Sequence, residues 1–494
     1  MQNYNFIRKR TNIYKFFCIF VPIMMITAAI LAYFCILFCI SRWVSRRATN
    51  ETFYQGERRS AWPMVAFGMV GASISGVTLV SVPGMVLTSD MAYLQLCMGF
   101  VVGYVVVATV LLPVYYRLNL VSIYAYLGQR MGRRSYQTGA WFFLLSKVAG
   151  ASVKFYVVCI IMQQFVFSAL GVPFPVTVTG LVALIWLYTH RGGIRTLVFT
   201  DMFQTFCLFA AMLLIIYKVV GALNLDFMEA VRAVAEDSRS RVMVLDDWTS
   251  RQYFWKQFLS GVFIVVVMTG LDQDMMQKNL TCRTLRSAQK DMCSYGVAFV
   301  PANLLFLTLG VLLAQLSEAQ GMALPEAGDQ LLPLFVEQAG PLVLLLFTIG
   351  IVAASFSSAD SALTSLTTCF CLDICCRPHD ELLRRMAHAG FCMVFVTFIL
   401  LFDLLNSTSL IDAIYILVSY TYGPLLGLFA FGLFTRLKVC DRWVPLVCVA
   451  SPLLCLATET IVGQLTGYRF GYELLMLNGM LTFMGLWLLR ERRG

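Results

Sequence analysis

The sequence predicts an all-α polytopic membrane protein of about thirteen transmembrane helices, and three observations carry that prediction. The composition is 59% hydrophobic and only 13% charged, with a mean hydropathy of +0.76, against roughly 25% charged residues in an ordinary soluble domain. Apolar runs of about 18 residues or more, long enough to cross a bilayer, recur from end to end. The net charge of +10 is too thinly spread for a nucleic-acid surface, and Lys and Arg fall mainly between the runs. That placement reads as topology.

The runs lie near 13–40, 62–84, 92–113, 138–168, 174–189, 196–220, 254–274, 292–316, 334–372, 387–403, 408–435, 443–463 and 471–489. The first is longer than a span needs and follows Arg8, Lys9, Arg10. Translation from Met24 or Met25 would leave a minimal span ending at Ile40 and remove those charges. The second is interrupted by Gly71-Ala72-Ser73-Ile74-Ser75-Gly76-Val77-Thr78, with Pro83-Gly84 following. The fourth carries Lys147 and Lys154, seven residues apart on one helical face, and the sixth carries Asp201. A mixed-charge segment, 221–256, follows it. The ninth holds four serines, three threonines and Asp360 between Ser357 and Thr368.

With the loop 41–60 placed inside, 24 of the 37 basic residues fall in inside segments, among them 276–291 with four, and 6 fall in outside loops. The expected orientation is N-terminus out and C-terminus in. The sixteen cysteines sit mostly within runs, where a thiol behaves as a small apolar group, so no disulfide framework follows.

The sequence has no G-x-x-x-x-G-K-[ST] motif for nucleotide hydrolysis and no H-E-x-x-H. Gly71-Ala72-Ser73-Ile74-Ser75 lacks the final glycine of a hydrolase elbow, and no histidine lies at membrane depth to activate a serine. An enzyme is disfavoured and a transporter expected. Small residues in the second run leave two readings open: an unwound helix whose carbonyls line a cavity, or close packing of neighbouring helices. Asp360 within a membrane costs roughly 2.5–3.5 kcal/mol and calls for a partner. Clustered hydroxyl and carbonyl oxygens suit a hard cation.

Six segments, in order, resemble the sodium:solute symporter family of bacterial proline, galactose and sialic-acid carriers and animal glucose and iodide carriers. They are GASISGVTLVSVPG (71–84), LLPVYYRLNLVSIYAYLGQRMGRR (111–134), RGGIRTLVFTDMFQ (191–204), DQDMMQKNLTCRTLRSAQK (272–290), AASFSSADSALTSLTTCFCLDI (353–374) and YGPLLGLFAFGLF (422–434). The resemblance implies a LeuT-like 5+5 inverted repeat with discontinuous helices, broken near Gly71–Gly76 and near Gly270. Residues 1–40 would form an N-terminal extension and a peripheral helix, 62–220 the first repeat, 254–435 the second, and 443–494 two C-terminal helices and a short tail.

It also implies a sodium site formed by the carbonyls of Gly71, Ile74 and Ala354 and the hydroxyls of Ser357 and Ser358. A second sodium site, present in some members, would use Asp201 with Asp360 and Ser361. From the residues alone, Asp201 reads equally as a helix N-terminal cap beside Thr200. Ser73 and Thr78 fall where members contact solute. The Asn and gating Tyr that galactose carriers place on the seventh span are absent from Ile264–Thr269, and the glutamines of their eleventh span are apolar around Ala413 and Ile416.

Lys154, more than Lys147, reads as an anchor for an anionic solute. Either lysine reads otherwise as an internal ion pair with Asp360, Asp272 or Asp274, and Lys147 also as snorkelling to the cytoplasmic edge. The expected function is Na⁺-coupled symport of a small polar, carboxylate-bearing solute by alternating access in a bacterial inner membrane. A neutral sugar or other neutral solute, and less so an uncoupled ion or anion channel, remain open. No cofactor other than coupling Na⁺, no nucleic acid and no obligatory protein partner is expected beside the solute and the lipid bilayer. Because a monovalent anion entering with one Na⁺ forfeits the voltage term of about 2.3 kcal/mol per 100 mV, electrogenic uptake with two Na⁺ is expected.

Overall fold

The computed structural model describes residues 24–491 except 48, 249, 406–416, 467 and 469. The basic N-terminal stretch, the alternative starts' upstream residues, and Ala413 and Ile416 lie outside the described residues. Among those described, the chain is helical throughout, with two isolated bridges, Ser60 to Cys282 and Val439 to Arg490.

Eight helices are long and apolar enough to cross a membrane singly: α1 (Met24–Val44), α4 (Tyr93–Arg117), α5 (Arg133–Phe167), α7 (Gly193–Ala222), α10 (Leu285–Ala319), α11 (Pro341–Ile374), α12 (Glu381–Leu404) and α14 (Asp441–Thr466). Two bent pairs each make a broken span, α2 (Trp62–Ser73) with α3 (Gly76–Ser89) and α8 (Phe254–Gly270) with α9 (Gln273–Asn279). Three shorter apolar helices complete the set, α6 (Phe174–Thr189), α13 (Gly423–Phe434) and α15 (Leu474–Leu488). By length and composition the described chain supports eight spans, or ten with the bent pairs. The sequence expectation of thirteen also counts the three shorter helices. Large apolar side chains point outward on many helices, including Phe206, Tyr217, Leu404 and Leu465. That is a surface suited to lipid rather than water.

Both breaks fall where the sequence interrupts its apolar pattern. The α2–α3 axis turns by 63° at Ile74 and Ser75, whose backbones are extended. Glycines flank the turn because neighbours come close there. A Cβ at Gly71 would overlap the hydroxyl of Thr205 on α7, and one at Gly76 would overlap that of Ser355 on α11. Unwinding and close packing, alternatives in the sequence, therefore coexist. The α8–α9 axis turns by 70° after a π-turn at Val266–Gly270. There the Asp272 carboxylate caps α9 by accepting from the Asp274 N–H at 2.8 Å.

The central members are buried on most faces. Helix α5 packs on α11 and α12, α7 lies against α2 and α11, and α10 lies against α3 and α4. A short helix and turn from the 221–256 segment fold back on α10, where Arg239 joins Asp237 at 2.9 Å to Glu318 at 2.8 Å. The guanidinium's hydrogen bonds hold the Asp237 carboxyl down at about 2.

On the side that the charge pattern assigns to the exterior, the turn Gly328–Gln330 presses onto α3. A Cβ at Gly84 would overlap the Gly328 carbonyl, and one at Gly310 would overlap the carbonyl of Pro83. Only glycine fits such backbone contacts. Gly84→Val should lift this turn and speed amide exchange across residues 323–331 while leaving α5 and α11 protected. Unchanged exchange there would refute the contact.

Candidate functional site

Both breaks line a cavity of about 130 Å³, with α5 supplying part of its wall. Its walls come from α2, α3, α4, α5, α8, α9, α10 and α11, with Val418 and Tyr422 from the segment leading into α13. Ser73, Thr78, Lys154 and Ser358 all line it, so the structure brings together the three expected solute contacts and one expected sodium ligand.

Lys147 and Lys154 both reach the cavity wall, but their surroundings differ. The Lys147 ammonium lies 3.0 Å from Asp272 and 2.7 Å from Asp274, its side chain 15% exposed. Tyr422 donates to the same Asp272 carboxylate at 2.6 Å. Of the readings open for Lys147, the internal pair is the one realised. Lys154, two turns along on the same face, has no ion-pair or hydrogen-bond partner among the described residues and is half-buried. An unpaired ammonium in such surroundings is costly and invites an anion.

The opposite wall is aromatic and hydroxylated. Tyr104 donates to the hydroxyl of Tyr295 at 2.7 Å, and Tyr295 is joined by a hydrogen bond to Ser73. Phe100, Phe299, Met268 and Thr269 fill in the rest. Ile264, Val265, Met268 and Thr269 bring the apolar stretch of α8 to the wall, where the galactose carriers' Asn and Tyr would stand. No sequence signal marked Tyr295, because a tyrosine in an apolar run looks like core, and the 422–434 segment that opens on Tyr422 gave no sign of its carboxylate partner.

Beside the cavity, α11 meets the first break. Ser358 donates its hydroxyl hydrogen to the Ala72 carbonyl at 2.9 Å and, more distantly, to the Ala354 carbonyl at 3.2 Å. Its lone pairs remain for a cation. Ile74 is fully buried at the break, and Gly71 sits against Thr205. The Ser355 hydroxyl, absent from the expected ligand set, is buried at the same junction without a hydrogen-bond partner. The concentration of carbonyl and hydroxyl oxygens around Ala72, Ala354 and Ser358 fits a hard monovalent cation.

Ser357 points the other way, toward α7. Its hydroxyl donates to Asp201 Oδ1 at 2.6 Å, while Asp201 Oδ2 lies 2.7 Å from the Lys278 ammonium of α9. Both charged residues are about 1% exposed. Two sequence expectations need correction here. Lys278, counted among the loop charges of 276–291, is buried in the protein. Asp201 does not cap a helix: α7 starts at Gly193, and Thr200 bonds back to the carbonyls of Thr196 and Leu197. Asp360, also buried, accepts from Tyr188 at 2.8 Å and from Ser361 at 3.3 Å, and no lysine pairs with it among the described residues.

Among the described residues no group of three or more His, Cys, Asp or Glu side chains is arranged to hold a metal ion. Lys147 with Asp272 and Asp274, and Lys278 with Asp201, are paired inside this site, and removing one partner of a buried pair typically costs about 3–5 kcal/mol. Lys147→Met should destabilise the protein by about that amount, and Lys147→Met with Asp272→Asn should recover part of it, as read by thermal unfolding in detergent. Equal stability of Lys147→Met and the wild type would refute the pairing. Ser358→Ala should weaken sodium binding at least tenfold, about 1.4 kcal/mol. Sodium-dependent quenching of tryptophan fluorescence would measure it.

The sodium:solute symporter family profile matches residues 53–439. The human sodium/iodide cotransporter is 26% identical over 242 residues, 48% of this chain and 36% of the relative. A sodium/sialic acid symporter of Aliivibrio fischeri is 27% identical over 436 residues, covering 83% of this chain and 82% of the relative. The chain thus spans about a third of the first relative's length and about four fifths of the second's. A solved structure of a substrate-bound, outward-open Na⁺-coupled sialic acid symporter superimposes with a TM-score of 0.79 at 18% identity, covering 94% of this chain and 97% of the other.

Proposed function

The chain belongs to the sodium:solute symporter family, and from that membership we propose that it couples inward movement of Na⁺ to uptake of a small carboxylate-bearing solute. The observation that carries the solute class is Lys154: a half-buried ammonium on the cavity wall with no ion-pair partner among the described residues. A carboxylate would supply the missing charge. Hydroxyls of Ser73, Thr78, Tyr104 and Tyr295 would take the remaining polar groups, and Phe100 and Phe299 would cover an apolar portion. The iodide and sialic acid named for two relatives are likewise an anion and an acid.

In this reading Na⁺ binds where α11 crosses the first break, held by the carbonyls of Gly71, Ile74 and Ala354 and the hydroxyls of Ser357 and Ser358. The ion bridges a broken helix of the first repeat to an unbroken helix of the second, and so favours the arrangement in which the two are docked. Solute placed between the same elements shares that arrangement. Each ligand stabilises the state that the other prefers, which is what coupling requires. The repeats 62–220 and 254–435 then rock about the cavity within a bacterial inner membrane, with the N-terminus outside and the C-terminus inside.

A second reading, a neutral solute, is favoured by one observation: two lysines and two aspartates border the cavity, so its formal charge balances. The two readings part on Lys154. In a thermal-shift screen of carboxylates and their amides, the carboxylate should stabilise the protein in Na⁺ but not in choline. Saturation at a hundredfold Kd is worth about 2.7 kcal/mol. Lys154→Ala should then raise the KM for that acid roughly 10- to 150-fold, matching about 1.5–3 kcal/mol for a hydrogen bond to a charged group. An amide that binds as well as its acid, or unchanged KM in the variant, would reject the anchor.

A further inference from the structure

We propose that Lys278 supplies from within the chain the positive charge that Asp201 would otherwise draw from a second sodium, so that the protein binds one Na⁺ rather than two. The inference rests on the first sodium site proposed above. It starts from Asp201, whose two carboxylate oxygens are both engaged: Oδ2 lies 2.7 Å from the Lys278 ammonium, and Oδ1 accepts from Ser357 at 2.6 Å. Neither charged residue is more than about 1% exposed, and Asp201 is the only ion-pair partner of Lys278 among the described residues. A sodium ion placed on the same carboxylate would stand a few ångströms from an ammonium, and like charges so close repel strongly where water is excluded.

The other members of the expected second site offer no alternative seat. Asp360 spends one oxygen on the Tyr188 hydroxyl and the other on Ser361. In both bonds the hydroxyl is the donor, so Ser361 turns its hydrogen rather than a lone pair toward that carboxylate. Asp201 and Asp360 thus receive hydrogen from protein groups instead of jointly presenting bare oxygens to an ion.

The tethered ammonium does more than fill a place. Neutralised by Lys278, Asp201 keeps the hydrogen of Ser357 turned toward α7, which leaves the Ser357 lone pairs for a cation on the other side. Lys278 also stands four residues beyond Asp274, on a helix whose first turn is bound to Lys147 at the solute cavity. Helix α9 therefore joins the cavity wall to a sodium ligand through two ion pairs, one at each end. Lys278 is a positioning residue in this sense: it touches neither solute nor sodium, yet it sets the orientation of Ser357.

Equilibrium binding of radiosodium to the purified full chain in detergent, in mildly alkaline choline buffer without solute, counts the sites directly. The wild type and Lys278→Arg should bind one Na⁺. Lys278→Met should bind two, because Asp201 then needs a cation from solution, and Lys278→Met with Asp201→Asn should return to one. Two ions on the wild type would overturn the inference and leave the first site standing. No ion on the wild type would overturn the first site and this inference with it. One ion on a Lys278→Met protein that is monodisperse by size exclusion would also overturn it. If that variant does not fold, the wild-type and double-variant counts decide.

Discussion

Three charges on one short helix organise the interior of this protein. Asp272, Asp274 and Lys278 lie within or just before the seven residues Gln273–Asn279, and all three are buried. None of them is tolerable alone in such surroundings, where desolvating a single ion costs several kcal/mol. Each is matched by a residue on a different span: Lys147 of α5 takes both carboxylates, and Asp201 of α7 takes the ammonium. The helix is held at its start by one partner and near its end by another. Its position relative to α5 and α7 is therefore fixed by electrostatics as much as by packing. The 70° bend preceding it sets the axis along which these charges meet both neighbours.

The broken helix of the first repeat is organised on a different principle. Between Gly71 and Thr78 it has no charged residue at all. It is pinned instead by close approach, with Gly71 against Thr205 and Gly76 against Ser355, and by a hydroxyl of α11 reaching the Ala72 carbonyl. Such contacts are individually weak. They can separate and reform at little cost, whereas the ion pairs of α9 cannot. One broken helix is thus suited to respond to a small cation, and the other to stay anchored around the solute cavity.

How much of this could be read from the chain depends on the kind of information involved. The first broken helix was legible because glycine and serine interrupt a long apolar run, a local signal, whereas the break near Gly270 was expected only from the family resemblance. The hydroxyl-rich face of α11 was legible for the same reason. Partner choice was not. Lys278 follows a run of polar residues after an apolar span, so it counts as a loop charge until the chain is folded back. The partners of Tyr188, Tyr295 and Tyr422 were invisible because a tyrosine within an apolar run has the same pattern whether its hydroxyl meets lipid headgroups or a buried polar group. For Lys147 the sequence narrowed the partner to three aspartates, and only three-dimensional proximity separates Asp272 and Asp274 from Asp360.

That division has a consequence for specificity. Lys147 and Lys154 have the same side chain, the same helix and the same face, and they differ only in whether the protein supplies a counter-charge. Lys147 is held between two aspartates and cannot turn to a solute without stranding both of them. Lys154 has no such obligation, so the energy of pairing it is left to whatever enters the cavity. A solute that satisfies Lys154 pairs an ammonium that the fold leaves open on the cavity wall, and Ser358, where the proposed sodium would sit, lines the same cavity. Recognition and ion coupling then share a wall, and neither requires the fold to break a pair it has already made.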